Sequence, residues 1–70
     1  MDIMTLSLNQ RIKILRERVG LNQKEFAEKC NVSPATACNW ENGKIKPTIN
    51  SRLQIARVLK VDADMLMDRE

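Results

Sequence analysis

No histidine occurs in this chain, and its two cysteines, Cys30 and Cys38, fit no metal-binding spacing. There is also no Gly-rich phosphate loop and no cysteine beside a base, so the usual equipment for hydrolytic or metal-assisted catalysis is missing. The sequence is therefore that of a binding protein rather than an enzyme, with no metal, no cofactor and no small-molecule substrate expected. Two cysteines are too few for a disulfide framework, which points to a reducing, cytoplasmic setting. Nothing approaches the ~18 consecutive apolar residues of a membrane span, and "MDIMTLSL" lacks the basic start of an export signal. Aromatic residues are scarce too: Phe26 and Trp40 are the only two, so aliphatic side chains must fill the core. Asp62, Asp64 and Asp68 crowd the C-terminal segment, but they read as a helix cap and an acidic tail, not as a catalytic group.

What is present suits one small globular domain. The 70 residues are 43% apolar and 30% charged, and a chain of this size buries only about 60% of its unfolded surface. A single domain over residues 1–70, with its core in 7–67, is expected. The net charge is +3, with twelve basic residues against nine acidic. Residues 1–46 hold eight basic and five acidic side chains, while 47–70 hold four of each, so the excess lies in the first two thirds. One end of the molecule should be electropositive, a balance that favours polyanionic partners.

The periodicity is helical throughout. Leu8, Ile12, Leu15 and Val19 fall on one helical face, with Arg11, Lys13, Arg16, Glu17 and Arg18 on others; Ser7 can cap this first helix and Gly20 can end it. Asn22 followed by Glu25 makes a capping-box start for a short second helix, residues 23–30, with Phe26, Ala27 and Cys30 turned inward. It stops at Asn31, which tolerates the left-handed backbone of a sharp exit. Ser33 and Pro34 are an N-cap and a first-turn residue in sequence. They open a third helix that runs to about Asn42 and ends at Gly43, with Ala37, Trp40 and Glu41 facing inward. Thr48 caps a fourth helix, residues 49–59, burying Ile55, Ala56 and Leu59. Asp62 caps a fifth carrying Met65 and Leu66.

The third helix is built mostly from small residues: "NVSPATACNWENGK". In an arrangement of helix two, a tight turn and helix three, the second of the pair can lie in a DNA major groove. Ala27 and Ala37 would let the two backbones approach, and Pro34, Ala35, Thr36 and Asn39 would leave room for entry into a groove about 12 Å wide.

With those residues in view, "GLNQKEFAEKCNVSPATACNWENGK" resembles the helix-turn-helix of the lambdoid phage Cro and repressor DNA-binding domains, the XRE group. The similarity extends to Leu8–Arg16 and to "PTINSRLQIARVLKVDADML", roughly residues 7–67. It departs from the pattern at Asn31, usually Gly, at Ala37, usually Ile or Val, and at Arg52, commonly Leu. The resemblance implies an all-α, five-helix, lambda-repressor-like fold. It further implies a sequence-specific double-stranded DNA-binding regulator, most like a Cro-type repressor acting as a homodimer on pseudo-palindromic operators.

By the same resemblance, Ser33, Pro34, Ala35, Thr36 and Asn39 read bases. Asn22, Gln23, Asn42, Lys44 with its backbone, and Lys46 hold phosphates. Arg16 and Glu41 form a partly buried pair that orients helix three. Ser51, Arg52, Ala63 and Met65 make the dimer contact, where little apolar surface is expected, so the dimer should be weak off DNA. A chromosomal antitoxin or regulator of the same family, and a protein-interaction module on the same scaffold, are the alternatives.

Overall fold

A computed structural model describes residues 3–67; Asp68 lies outside the described residues. Four α-helices form the fold: α1 (Leu8–Arg18), α2 (Gln23–Lys29), α3 (Pro34–Asn42) and α4 (Ile49–Leu59). Short 3₁₀ turns flank them at Ile3–Thr5 and Ala63–Leu66.

Each start is set by the cap that the sequence predicts. The Gln10 side chain accepts from the Ser7 N–H and hydroxyl at 3.1 and 3.0 Å. Asn22 and Glu25 bond reciprocally, the Asn22 carbonyl oxygen accepting from Glu25 N–H at 2.7 Å and the Glu25 carboxylate from Asn22 N–H at 2.9 Å. Ser33 and Thr48 accept from the N–H groups of Thr36 and Ser51, each at 3.2 Å. These bonds satisfy donors that the first turn of a helix cannot pair itself. The exits also follow the prediction: Asn31 and Gly43 turn through the left-handed region at φ 60° and 82°.

The expected fifth helix is a 3₁₀ turn of four residues. Asp62 caps it by accepting from Asp64 N–H at 3.1 Å, but the backbone is already extended at Met67 (φ −95°, ψ 145°), so no α-helical turn follows. Val19, expected in the apolar stripe of α1, is the C-cap residue and 40% exposed. The chain turns away at Gly20, and Leu21 packs against the core instead.

The core joins all four helices through Ile12, Leu15, Phe26, Ala27, Ala37, Trp40, Ile55 and Leu59, with Leu66 from the last turn. Ala27 and Ala37 are fully buried, as a close crossing of α2 and α3 requires. Beyond them Phe26 and Trp40 meet edge to face, their ring centroids 6.4 Å apart at 70°, a favoured aromatic geometry. Two arginines are unexpectedly buried. Arg11 donates to the carbonyls of Met65 at 2.9 Å and Met67 at 3.4 Å, tying α1 to the C-terminal turn. Arg52 donates through Nε to the Pro47 carbonyl at 3.0 Å.

Cys30 is 2% exposed, and burial pushes its thiol from the usual 9.0 up to about 11. Between those values the unfolded chain gives up the proton while the native chain keeps it, so the native state loses ground as the pH rises from 9 through 11. Urea midpoints under reducing conditions are expected to fall from pH 8 to pH 10, and to fall less in Cys30→Ala. An equal fall in both proteins would show that the thiol is not the cause.

Candidate nucleic-acid interface

The outward face of α3 carries short side chains. Ser33, Pro34 and Ala35 are exposed, while Thr36 and Asn39 are half-buried. The Ser33 and Thr36 hydroxyls lie 3.0 Å apart and bond to one another. The Asn39 amide, by contrast, has no hydrogen-bond partner among the described residues, although its backbone carbonyl accepts from Lys44 N–H at 3.0 Å and Ile45 N–H at 3.2 Å. Asn39 is thus the longest polar side chain on that face and keeps its amide available.

Both ends of the pair bring amides to one place. Gln23, from the start of α2, and Asn42, from the end of α3, line a single concavity of about 380 Å³ together with Lys13 and Cys38. Its floor is the Arg16–Glu41 pair. Arg16 Nε donates to Glu41 Oε2 at 2.6 Å and Nη2 to Oε1 at 3.1 Å, a two-point contact that fixes direction as well as distance. Arg16 Nη1 also donates to the Leu21 carbonyl at 2.8 Å, and Gln23 Nε2 reaches Glu41 Oε1 at 3.4 Å. The same carboxylate therefore orients a guanidinium from α1 and an amide from α2. Lys13 is exposed at the rim, so with Arg16 balancing Glu41 the concavity has an excess of one positive charge.

Several expected roles are constrained by existing bonds. The Lys44 N–H, expected to meet a phosphate, already donates to Asn39 O at 3.0 Å and to Asn42 Oδ1 at 3.1 Å. The exposed Lys44 and Lys46 side chains extend from the loop after α3. Asn22 is exposed, its side-chain oxygen engaged in the cap of α2.

Of the expected dimer residues, Ser51, Ala63 and Met65 are half-buried. Arg52, expected there too, is instead buried at 7% exposure, with its Nε turned to the Pro47 carbonyl. On another face of α4 and in the loop before it, Ile45, Ile49 and Leu53 are exposed apolar side chains, at 46%, 56% and 45%. Ile49 and Leu53 are one turn apart on α4, a spacing readable in the sequence. Their exposure was not, because it depends on which face of α4 meets the core. Lys13 was likewise missed as a neighbour of Gln23 and Asn42, since three helices must pack before they meet, whereas Cys38 lies one turn before Asn42 on α3, a spacing readable in the sequence.

Among the described residues, no group of three or more Cys, Asp or Glu side chains could hold a metal ion, and no helix is long and apolar enough to cross a membrane. Two short helices at a tight turn, the second presenting small and amide side chains, define a helix-turn-helix domain. The chain belongs to the helix-turn-helix family, whose profile matches residues 12–66.

It is 31% identical over 65 residues to the HTH-type transcriptional regulator ImmR of Bacillus subtilis (strain 168), covering 93% of this chain and 51% of that protein. It is also 31% identical over 65 residues to the HTH-type transcriptional activator BcrR of Enterococcus faecalis, covering 93% of this chain and 32% of that protein. The chain thus spans about half or less of the length of these relatives. Among solved structures it is similar to SinR, a master regulator for biofilm formation, in complex with DNA. That match has a TM-score of 0.82 and 30% identity, and covers 89% of this chain and all of the other. The P22 c2 repressor with a synthetic operator shares the fold, at a TM-score of 0.83 and 20% identity, with 93% of this chain and 98% of that one covered.

Proposed function

We propose that the protein is a sequence-specific double-stranded DNA-binding transcription regulator, a Cro-like repressor that acts as a homodimer with α3 in the major groove. The observation that carries this reading is the convergence of Gln23 and Asn42 on one concavity beside the exposed face of α3. Amide donors at the two ends of a helix pair, with lysines in the next loop, suit a sugar–phosphate backbone running past both ends of a groove-bound helix. The solved complexes of SinR and the P22 c2 repressor with DNA support it.

Each residue class has its task. Asn39 bonds adenine N6 and N7, Ala35 packs on a thymine methyl, and Ser33, Pro34 and Thr36 complete the short groove-facing surface. No Arg or Lys stands on that face to claim a guanine, so DNA shape and bound water share the readout. Gln23, Asn42 and Asn22 meet phosphates through neutral donors, and Lys44 and Lys46 through ammonium groups. The Lys44 N–H can join them only by giving up Asn42 Oδ1.

One domain reads half a site, so a pseudo-palindrome with half-site centres about 34 Å apart is expected. Ser51, Ala63 and Met65 form the subunit contact, and the buried Arg52 adds little to it. With Arg52 buried and Ser51, Ala63 and Met65 half-buried, little surface is left for a contact that needs roughly 800 Å² per partner to be stable, so the dimer is expected to be weak away from DNA.

Selection from a random duplex library at physiological salt tests the reading, with two variants beside the wild type. The wild type is expected to enrich a two-fold-symmetric motif. Asn39→Ala is expected to lose preference at one position of each half-site, by about 1–3 kcal/mol, and Gln23→Ala to weaken all sequences alike. No enrichment by the wild type would move the reading to a protein partner.

A further inference from the structure

Glu41 is gripped twice by α1, and only one of those grips is the ion pair. Its backbone carbonyl is among the last four of α3, which have no partner within the helix. Asn9, in the first turn of α1, supplies one: its Nδ2 donates to the Glu41 carbonyl at 3.2 Å across 32 residues of chain. The Asn9 side chain also lies across the left-handed turn that ends α3, its Cγ 3.6 Å from where a Cβ on Gly43 would stand. Asn9 is half-buried there.

The two grips point in opposite directions along α3. A helical side chain leans toward the N-terminus while its carbonyl points toward the C-terminus, so the carboxylate of Glu41 reaches one part of α1 and its carbonyl another. Asn9 and Arg16 are seven residues apart, two turns on one face of α1. The core packing of Ala37 and Trp40 holds the inner face of α3, and two separated polar contacts to α1 further restrict its tilt.

We infer that Asn9 is a positioning residue that fastens the C-terminal end of α3, and with it the turn carrying Asn42 and Lys44, to α1. The ion pair sets where the helix lies, and Asn9 sets how its end is held against the DNA backbone. This rests on the DNA-binding reading for its consequence, but not for its geometry. Asn9 itself is assigned no contact with base or phosphate.

The test uses Asn9→Leu, which keeps the approximate shape and removes the donor, beside Asn9→Ala, which removes the bulk as well. Amide hydrogen exchange is read residue by residue in the free protein, and DNA affinity is read across a salt series under conditions where every variant is folded. In both variants the amides of Lys44 and Ile45 are expected to exchange about tenfold faster, the effect of losing one hydrogen bond of ordinary strength, while core amides of α1 and α2 keep their rates. Affinity should fall on all duplexes with base preferences unchanged, and the slope of log K against log salt should become shallower by about 0.9 per subunit, one phosphate's worth.

Wild-type exchange at Lys44 and Ile45, or faster exchange of all amides together, would overturn the inference, as would an effect confined to the leucine variant. A wild-type protein that binds no duplex would overturn the functional reading alone. The exchange data would still decide the role of Asn9.

Discussion

Replacing Glu41 by alanine is expected to cost about 3–5 kcal/mol of folding stability, as breaking a buried ion pair from one side does. The reason is what stays behind. Arg16 and Glu41 are 9% and 8% exposed, and without the carboxylate the guanidinium retains one firm interior partner, the Leu21 carbonyl at 2.8 Å. A surface pair would lose about 1 kcal/mol or less, so the size of the change separates the two cases. A domain of 70 residues has roughly 4–10 kcal/mol in total, and the variant will stand close to unfolding. Urea denaturation at about 10 °C, near the usual maximum of stability, gives the most measurable transition. Replacing both partners by apolar residues, as in Arg16→Met with Glu41→Leu, is expected to recover much of the loss, because no charge is then stranded. A double variant as unstable as Glu41→Ala would mean that the pair itself, and not the desolvated orphan, is what matters.

The pair was foreseen from the family's pattern, and the contrast with the other buried charges shows what a sequence can disclose. Caps are local: Asn22 and Glu25, or Ser33 and Pro34, announce a helix start because the groups they satisfy lie within three residues. The same holds for the left-handed exits at Asn31 and Gly43. Arg11 and Arg52 were not legible as buried because their partners are backbone carbonyls of Met65, Met67 and Pro47, and every residue has a carbonyl. Lys60 takes φ 60° at the end of α4, although nothing in its chemistry favours that conformation. The fifth helix failed for a related reason. Its cap at Asp62 is real, but a cap specifies a start and says nothing of length.

The candidate site divides in the same way. The outward positions Pro34, Ala35, Thr36 and Asn39 could be named from the helical pattern, and the resemblance added Ser33 to them. Whether a named group is available depends on bonds made after folding. Asn39 keeps its amide, Ser33 and Thr36 satisfy one another, and the Lys44 N–H is occupied twice. Asn9 was invisible as a partner of Glu41 because the contact joins two helices that are not neighbours in the chain.

Binding to duplex DNA is expected to weaken about 150-fold between 50 and 200 mM monovalent salt, equivalent to about 3 kcal/mol. Of the five proposed phosphate contacts only Lys44 and Lys46 carry charge, and only charged groups displace the counterions condensed on DNA. Two lysines per subunit make four per dimer, and at ~0.9 for each the slope of log K against log salt is about −3.6. A fourfold rise in salt then gives the stated loss. A lone subunit would show a slope of about −1.8, so the same series, followed by fluorescence anisotropy, also reports how many copies bind. Lys44→Gln is expected to take away about 0.9 of slope per subunit, whereas Gln23→Ala and Asn42→Ala should lower affinity at every salt concentration without changing the slope, because a neutral amide releases no ion. A slope near zero would contradict the placement of the loop after α3 against the backbone. One much steeper than −3.6 would bring in cations from α1, with Lys13, at the rim of the concavity that Gln23 and Asn42 share, the first to replace.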